Sequence, residues 1–283
     1  MSAPPDAVSA RPDDRAALDD LIARATAFDG NPPFSDGALV ALANGERELV
    51  WERDADGRTV GAALDSPTAS EFVVDPDARG HGHGARMLDM LTHPSRGGAA
   101  GSKLFWAHGD HPGARALAVH HRLEPVRRLL HLRLAAIPAG AAATTTAFTA
   151  ADADAWLALN ARAFAAHPEQ GAVTRADLEL TIAEHWFDAS DFLLLREAGE
   201  LIGYVWLKVL EGTGEFYVVG VAPEQQGRGL GRVLMDAGFA RLAERGIHTA
   251  ELYVEADNAP ALRLYRSYGF AEAGVDVQYH YAR

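Results

Sequence analysis

The feature that most constrains the fold of this chain is an internal repeat. A loop with three alternating glycines occurs at Gly80, Gly82 and Gly84, and it recurs 147 residues later (227 − 80) at Gly227, Gly229 and Gly231. The same shift aligns further pairs outside the loops, namely Val74 with Val221, Pro76 with Pro223, Trp106 with Tyr253, Asp110 with Asp257 and Leu123 with Phe270. A constant shift over about fifty residues indicates a tandem duplication, so the chain is predicted to fold as two copies of one unit.

The joint between the copies is visible in the composition. Residues 135–146 are mostly Ala and Thr with one Pro and one Gly, a stretch that buries little and suits a linker. We place the boundary near residue 140, which gives domains 1–140 and 141–283. In the second copy, predicted strands (192–195, 201–209, 215–221, 249–255 and 275–281) alternate with helices over 231–245 and 259–268. This order predicts a mixed α/β sheet in each half.

Composition excludes several classes of protein. The 283 residues fit two domains, and 26 Lys+Arg against 39 Asp+Glu give a net charge of −13, which argues against a nucleic-acid partner. No Cys is present, so disulfides, thiolate metal sites and cysteine nucleophiles are excluded. No apolar run approaches the ~18 residues of a membrane span, and no secretory signal is evident at the N-terminus. We therefore expect a cytoplasmic protein with no membrane partner.

The glycine loops point to an anionic ligand. Glycines between a strand and a helix let backbone N–H groups turn toward an anion at the helix N-terminus, as a pyrophosphate requires. The spacing is neither the dinucleotide pattern G-x-G-x-x-G nor a P-loop, because no Gly-Lys-Ser/Thr follows. From these residues alone, a plain flexible turn between strand and helix stays open. His81 and His83 imitate a metal pair, but no third ligand is near them in sequence, so no metal is expected.

Two motifs together resemble the GNAT superfamily of N-acetyltransferases. The first is Gln226-Gly227-Arg228-Gly229-Leu230-Gly231 after a valine-rich strand, and the second is the run from Tyr253 through Asn258 and Tyr265 to Phe270. The resemblance implies two tandem GNAT acyltransferase domains, each a mixed, mostly antiparallel sheet flanked by helices, with acetyl-CoA as cosubstrate. It implies these cofactor contacts in the second copy: Val219, Gly220, Val221, Gln226, Gly227, Arg228, Gly229, Leu230, Gly231, Arg232, Asn258 and Arg263. Those it implies in the first copy are Phe72, Val73, Val74, Gly80, His81, Gly82, His83 and Gly84.

The chain is similar, more narrowly, to tandem GNAT enzymes that acetylate the cysteinyl amine of a cysteine–glucosamine–inositol conjugate. The sequence segments that carry this likeness are His167-Pro168-Glu169-Gln170-Gly171, Trp206-Leu207-Lys208-Val209, residues 214–221 and residues 252–258. The likeness implies a small-molecule substrate that is contacted by Asp36, Glu169, Lys208, Glu215 and Tyr253. Asp36 comes from the first copy, in a Ser35-Asp36-Gly37 turn where a helix cap is the alternative role.

Acetyl transfer needs an unprotonated amine and a proton for the departing thiolate. The resemblance implies Glu215 as the base, acting directly or through water, and Tyr265 as the acid. Strand alternation predicts that Glu215 shares a face with Tyr217, Val219 and Val221. Under the 147-residue shift, Glu215 falls on Thr68, Asn258 on His111 and Tyr265 on Ala118. We therefore expect the first copy to bind CoA without catalysing transfer.

Two alternatives stay open at this stage. One is another GNAT enzyme that acetylates a protein or an aminoglycoside amine. The other is a non-catalytic acetyl-CoA-sensing module, which would keep the glycines and lose the acid and the base. The sequence leaves open the oligomeric state (a monomer being one option), the order of binding and whether the first CoA site is occupied.

Overall fold

The computed structural model describes residues 12–94, 102–141, 143–165, 167 and 170–282. The chain forms two compact units. The first comprises Met1–Leu129 together with Gly274–Arg283, and the second comprises Leu130–Ala273. We refer to them as the N-terminal and the C-terminal unit. Within the described residues, no helix is long and apolar enough to cross a membrane.

The N-terminal unit is built on a sheet with the order β1-β2-β3-β4, and the end of the last strand of the chain, β11, pairs beside β4. Neighbouring strands are antiparallel except β3 and β4, which are parallel. Its elements are α1 (Pro12–Asp29), α2 (Asp36–Ala43), β1 (Glu48–Arg53), β2 (Thr59–Asp65), β3 (Ala69–Val74), α3 (His83–Leu91), β4 (Lys103–Ala107), α4 (Pro112–His120), the first part of β5 (Glu124–Leu134) and the last part of β11 (Ala271–Tyr281).

The C-terminal unit repeats this plan, with the strand order β10-β9-β8-β7-β6 and the end of β5 beside β10. Here β9 and β10 are the parallel pair, whereas β6, β7, β8 and β9 pair antiparallel. Its elements are β6 (Thr145–Ala147), α5 (Ala153–Ala163), α6 (Arg175–Ile182), β7 (Phe192–Glu197), β8 (Glu200–Leu210), β9 (Thr213–Val221), α7 (Leu230–Glu244), β10 (Thr249–Glu255) and α8 (Ala259–Ser267). The expected mixed, mostly antiparallel sheet flanked by helices is confirmed.

Helices cover both faces of the C-terminal sheet. On one face, Trp156 of α5 packs edge-on against Phe192 and Tyr204 in a buried aromatic cluster. On the other face, α7 approaches closely at Gly238, where a Cβ atom would stand 2.5 Å from the Phe216 ring. A side chain at that position would push α7 off the sheet, so the glycine fixes the distance between helix and strand.

A β-bulge interrupts β9 just before the region predicted to bind the cofactor. Trp206 pairs with Val218 and the next residue, Leu207, pairs with Phe216, so Tyr217 is the extra residue on β9. The side chain of Phe216 points to α7, where it contacts Phe239, and that of Val218 belongs to the cluster on the α5 face. A bulge shifts the inward–outward alternation of every residue beyond it.

The bulge corrects one sequence-based expectation. Glu215 lies on the α5 face with Tyr217, whose ring is 5.5 Å from that of Trp206. Val221, however, lies opposite Gly203, where an added Cβ would contact Leu234 of α7, so Val219 and Val221 point to the α7 face. The prediction that all four side chains share one face is wrong for Val219 and Val221, because it assumed an unbroken period of two.

The division into units also differs from the boundary predicted near residue 140. The units divide between Leu129 and Leu130, inside β5, and the chain returns to the N-terminal unit at Gly274. The reason lies in the pairing of β11, because its residues Val277–Tyr281 form an antiparallel ladder with Lys103–Ala107 of β4. A search for linker-like composition cannot detect such a pairing.

Candidate active site

The glycine loop of the C-terminal unit has the geometry of an anion-binding turn. Gly227 and Gly229 have φ values of +78° and +79°, a backbone region that other residues adopt with strain, and α7 begins directly afterwards at Leu230. A Cβ at Gly231 would stand 3.1 Å from Leu264 of α8, so the third glycine serves the packing of the two helices. The N–H groups at the start of α7 are thus presented at the loop, where a phosphate would be stabilised.

Cationic side chains surround this loop. Arg228 is exposed and donates two hydrogen bonds to Glu197, at 2.9 and 2.8 Å, so that carboxylate already engages it. Arg232 donates to Ser267 at 3.0 Å and stacks over the Tyr268 ring at 5.0 Å, whereas Arg263 is exposed on α8. Gln226 donates to the carbonyl of Val221 at 3.5 Å. Arg228 and Arg232 therefore stand at a solvent-accessible loop, where guanidinium groups can pair with a diphosphate once Arg228 leaves the Glu197 carboxylate.

Beside the loop, the parallel strands β9 and β10 separate. Their ladder covers Thr213–Glu215 and Thr249–Glu251, and both strands lie wholly within the described residues. Beyond Glu215, the edge of β9 that faces β10 has no ladder partner there, although Val219 and Val221 stay paired with β8 on the other edge. Backbone groups on that open edge are available to the amides of an extended ligand.

The predicted base lies where the strands begin to separate. Glu215 is partly buried, and in register it stands opposite Lys208 of β8 on one side and Glu251 of β10 on the other. The Lys208 ammonium lies 5.3 Å from the Trp186 ring and 6.0 Å from the Tyr217 ring, within range of a cation–π interaction. The structure thus sets Glu215 and Lys208, two of the predicted substrate contacts, opposite each other on neighbouring strands.

The predicted acid lies on α8. Tyr265 is 9% exposed, its ring packs 6.1 Å from that of Phe270, and burial raises the pKa of its hydroxyl to about 12. A phenol with this pKa is fully protonated at neutral pH, as an ordinary tyrosine also is, and that is the form that a proton donor needs. Asn258 caps α8 by accepting a hydrogen bond from Ala261 N–H at 3.2 Å, so its carbonyl oxygen is engaged while its amide group can still donate.

One cluster at the site has no counterpart in the sequence analysis. His131 of β5 contacts the Glu251 carboxylate at 3.1 Å through Nε2, and its ring stacks on that of Tyr253 with centroids 4.7 Å apart. Alternation along β10 could have placed Glu251 and Tyr253 on one face. No local signal, however, links either residue to position 131.

Two further predicted substrate contacts, Tyr253 and Asp36, belong to different units. Tyr253 is 44% exposed on β10, two residues beyond Glu251. Asp36 lies in the N-terminal unit as the first residue of α2, and the cap of that helix is Ser35, whose hydroxyl accepts from Ala38 N–H at 3.2 Å. The helix-cap alternative for Asp36 is therefore wrong, since the neighbouring residue has that role. Glu169 lies outside the described residues.

The N-terminal unit contains a cavity of about 610 Å³ at the equivalent place, where β3 and β4 separate after Glu71 and Trp106. Gly80 and Gly82 have φ values of +80° and +83°, close to those of their counterparts in the other unit. Among the residues that line the cavity are seven of the eight predicted N-terminal cofactor contacts, namely Phe72, Val73, Val74, Gly80, Gly82, His83 and Gly84.

The eighth predicted contact, His81, is exposed, and its Nδ1 lies 3.4 Å from the carbonyl of Ala78. His83 is buried, with Nδ1 2.9 Å from Glu52. The two histidines therefore have separate partners. No group of three or more His, Cys, Asp or Glu that could hold a metal ion occurs among the described residues.

The N-terminal unit has different residues at the positions that align with the predicted base and acid. Thr68 is exposed and Ala118 is buried at the positions that align with the base and the acid. A carboxylate does stand near the cavity, since Glu71 of β3 is 1% exposed, but it accepts hydrogen bonds from Ser35 N–H at 2.7 Å and Ser35 Oγ at 2.9 Å and contacts His108 at 3.1 Å. Burial alone would raise the pKa of Glu71, yet the bond to His108 and the other contacts hold that pKa below its usual value.

Comparison with known proteins agrees with this geometry. The sequence model of the "Acetyltransferase (GNAT) family" matches residues 155–270, which include the glycine loop, Glu215 and Tyr265. The fold resembles that of a GCN5-related N-acetyltransferase from Sphaerobacter thermophilus, with a TM-score of 0.73 at 23% identity over 96% of this chain and 93% of the other. It also resembles a tandem GNAT protein from the clavulanic acid biosynthesis pathway, with a TM-score of 0.69 at 17% identity over 97% of both chains.

The fold and the glycine-loop site thus define a tandem GNAT acetyltransferase, and enzymes of that class use acetyl-CoA. At the sequence level, the chain is 47% identical to the mycothiol acetyltransferase of Clavibacter michiganensis subsp. michiganensis over 97% of this chain and 94% of the relative. The chain belongs to the mycothiol acetyltransferase family.

Proposed function

We propose that the C-terminal unit transfers the acetyl group of acetyl-CoA to the cysteinyl amine of a cysteinyl–glucosaminyl–inositol conjugate, giving mycothiol and CoA. The observation that supports this proposal is the register that sets Lys208 of β8 opposite Glu215 on β9, the strand that leads to the glycine loop, in a chain of the mycothiol acetyltransferase family. Tyr253 lies on the adjacent strand β10, two residues beyond the partner of Glu215. Carboxylate, ammonium and phenol groups can together form hydrogen bonds with the amine and the hydroxyls of such a substrate.

The proposed reaction begins with the glycine loop and the start of α7 holding the diphosphate of acetyl-CoA. Glu215, directly or through a water molecule, removes a proton from the substrate ammonium, and the free amine attacks the thioester carbon. Backbone N–H groups near Val219 and Val221 stabilise the oxyanion. The intermediate collapses with cleavage of the C–S bond, and Tyr265 donates its proton to the departing thiolate. The second proton of the attacking nitrogen leaves as the amide forms and returns the Tyr265 phenolate to its neutral form through solvent, while Glu215 releases the first proton to solvent.

The proposed cofactor contacts follow the loop geometry. They are the backbone at Val219, Gly220 and Val221, the loop and helix start from Gln226 to Arg232, and Asn258 and Arg263 on the side of α8. Asp36 and Glu169 remain proposed substrate contacts. We propose no metal requirement, and we place the reaction in the cytoplasm.

For the N-terminal unit we propose CoA binding without transfer. The cavity and the two positive-φ glycines support binding. Thr68 and Ala118 offer neither a carboxylate nor a phenol, and Glu71 is already held by Ser35 and His108.

The test is an assay of the purified protein with acetyl-CoA and the cysteinyl conjugate, following CoA release and the acetylated product by mass spectrometry. We expect stoichiometric formation of both products. A protein substrate or an aminoglycoside is offered in parallel; faster acetylation of either one would favour another GNAT activity. Acetyl-CoA binding without turnover of any amine would instead favour a sensing module.

A further inference from the structure

His131, Glu251 and Tyr253 form a continuous arrangement beside the proposed base. The in-register pairing of Glu251 with Glu215 on parallel strands places the two carboxylates side by side. His131 reaches Glu251 Oε2 at 3.1 Å with one ring nitrogen, while the face of the same ring covers Tyr253 at 4.7 Å and an interplanar angle of 11°. The side chains of His131 and Glu251 are 19% and 25% exposed, so the contact is partly shielded from solvent.

The charges around Glu251 favour its ionised form. The hydrogen bond from His131 is the largest cause holding the pKa of Glu251 below its usual value; burial opposes it, and His131, Arg133 and Lys208 add favourable charge. The groups that face Glu251 are His131 and Arg133 from β5, Lys208 from β8, Glu215 from β9 and Tyr253 on its own strand. Glu251 therefore stays anionic at neutral pH.

We propose that Glu251 binds the cationic amine of the acceptor beside Glu215, and that His131 is a positioning residue which fixes the Glu251 carboxylate and the Tyr253 ring. This inference rests on the proposed function, because it assumes an acceptor that arrives as an ammonium ion. One carboxylate then holds the ammonium while the other, Glu215, takes the proton. The adjacent strands supply both groups at the same level of the sheet.

Loss of a hydrogen bond to a charged group weakens binding by about 10- to 100-fold. We therefore expect Glu251→Gln to raise KM for the cysteinyl acceptor about 10- to 100-fold, with kcat changed less than about threefold and KM for acetyl-CoA unchanged. The increase should fade as the pH passes the pKa of the acceptor amine, since the neutral amine has no charge to recognise. Glu244→Gln, at the exposed end of α7, is the matched control and should behave as wild type.

Two substitutions at His131 separate its roles. His131→Gln keeps a nitrogen donor near the position of Nε2 but loses the aromatic ring, whereas His131→Phe keeps a flat ring on Tyr253 and loses the hydrogen bond. If fixing Glu251 is the main role, His131→Phe should raise the acceptor KM severalfold and His131→Gln should restore most of the wild-type value. Circular dichroism and KM for acetyl-CoA report on folding in every variant.

A structural role alone predicts a different result. Under the proposal, a deamino analogue of the acceptor, with hydrogen in place of the amine, should inhibit wild type and Glu251→Gln with equal Ki, because it has no amine for Glu251 to bind. A structural role alone would instead weaken the binding of the analogue as much as that of the amine. Three results would each overturn the inference. They are an equal loss of affinity for the analogue and for the amine in Glu251→Gln, an unchanged acceptor KM in that variant, and a His131→Gln variant with an acceptor KM as high as that of His131→Phe. Calorimetric titration of wild type with the acceptor distinguishes a failure of the proposed function from a failure of this inference. If wild type neither binds nor acetylates the acceptor, the proposed function is contradicted. If wild type binds it and Glu251→Gln binds it equally well, only this inference is contradicted.

Discussion

At the scale of single residues, the proposed acid Tyr265 and the nearby Tyr268, at the C-cap of α8, offer a matched pair. The Tyr265 hydroxyl is buried, and burial raises its pKa to about 12. Tyr268, three residues later, is bound through its hydroxyl to Asp236 at 2.6 Å and to the carbonyl of Arg232 at 3.2 Å. The two phenols, one on α8 and one at its C-cap, thus have different surroundings, and Tyr265 is the one that we propose as the proton donor.

We predict that Tyr265→Phe lowers kcat by about 10²- to 10⁴-fold, the usual contribution of general acid catalysis, and leaves the affinity for acetyl-CoA nearly unchanged. The Phe ring keeps the packing against Phe270, so the fold should persist. Tyr268→Phe is the control; it removes two hydrogen bonds and should reduce stability more than kcat. Steady-state kinetics and thermal unfolding measure both effects. Near-normal turnover of Tyr265→Phe would leave that residue with a packing role.

At the scale of elements, the two glycine loops have nearly the same backbone and differ in the chemistry beside them. Gly82 and Gly229 have φ values of +83° and +79° and precede α3 and α7, respectively. We predict that Gly229→Val abolishes turnover, because a β-branched residue is strained there and alters the phosphate-binding turn. The matching Gly82→Val should leave kcat nearly intact, because the N-terminal unit has no proposed acid or base.

Steady-state kinetics on folded samples of both variants measures this difference in kcat. Circular dichroism checks the folding of each variant, since a strained loop can also destabilise its unit. Equal losses of activity in the two variants would contradict the assignment of chemistry to the C-terminal unit. Calorimetric titration with CoA adds the expectation that Gly82→Val binds fewer equivalents of CoA than wild type.

Sequence patterns predicted these elements well where the signal is local. A glycine at a positive φ between a strand and a helix, as at Gly229, is such a signal. The bulge at Tyr217 has no local signal, because it depends on how β8 pairs with β9. The contact of His131 with Glu251 joins residues 120 positions apart, so it becomes visible only once the strands are in order.

At the scale of the whole molecule, the end of the chain belongs to the N-terminal unit, and a buried polar cluster helps to hold it there. His108 contacts Asp276 of β11 at 2.9 Å through Nδ1 and Glu71 of β3 at 3.1 Å through Nε2, and Gly109 N–H donates to Asp276 at 2.9 Å. Duplication alone would have assigned β11 to the second unit. The pairing with β4 and this cluster are tertiary features that the repeat does not encode.

The cluster makes the stability of the N-terminal unit depend on pH. Burial would by itself lower the pKa of His108, but the hydrogen bonds and charges of Asp276 and Glu71 outweigh it and raise that pKa to about 9. A folded-state pKa above the unfolded value of about 6.5 means that the imidazolium favours the native state fully below pH ~6.5. This stabilisation is lost as the pH rises through about 9, and it amounts to roughly 3 kcal/mol at most.

We predict that the free energy of unfolding of the N-terminal unit falls between pH 7 and pH 10, and that His108→Gln flattens this dependence because a neutral amide cannot lose a proton in that range. Urea denaturation at intervals of one pH unit measures the free energy of unfolding of wild type and variant. NMR titration of the His108 ring protons measures the pKa directly. Asp276→Asn should lower that pKa toward its ordinary value, since it removes one of the two carboxylates. A His108 resonance that titrates near pH 6.5 in the folded wild type would show that the two carboxylates do not hold the proton, and the pH dependence of unfolding would then need another origin.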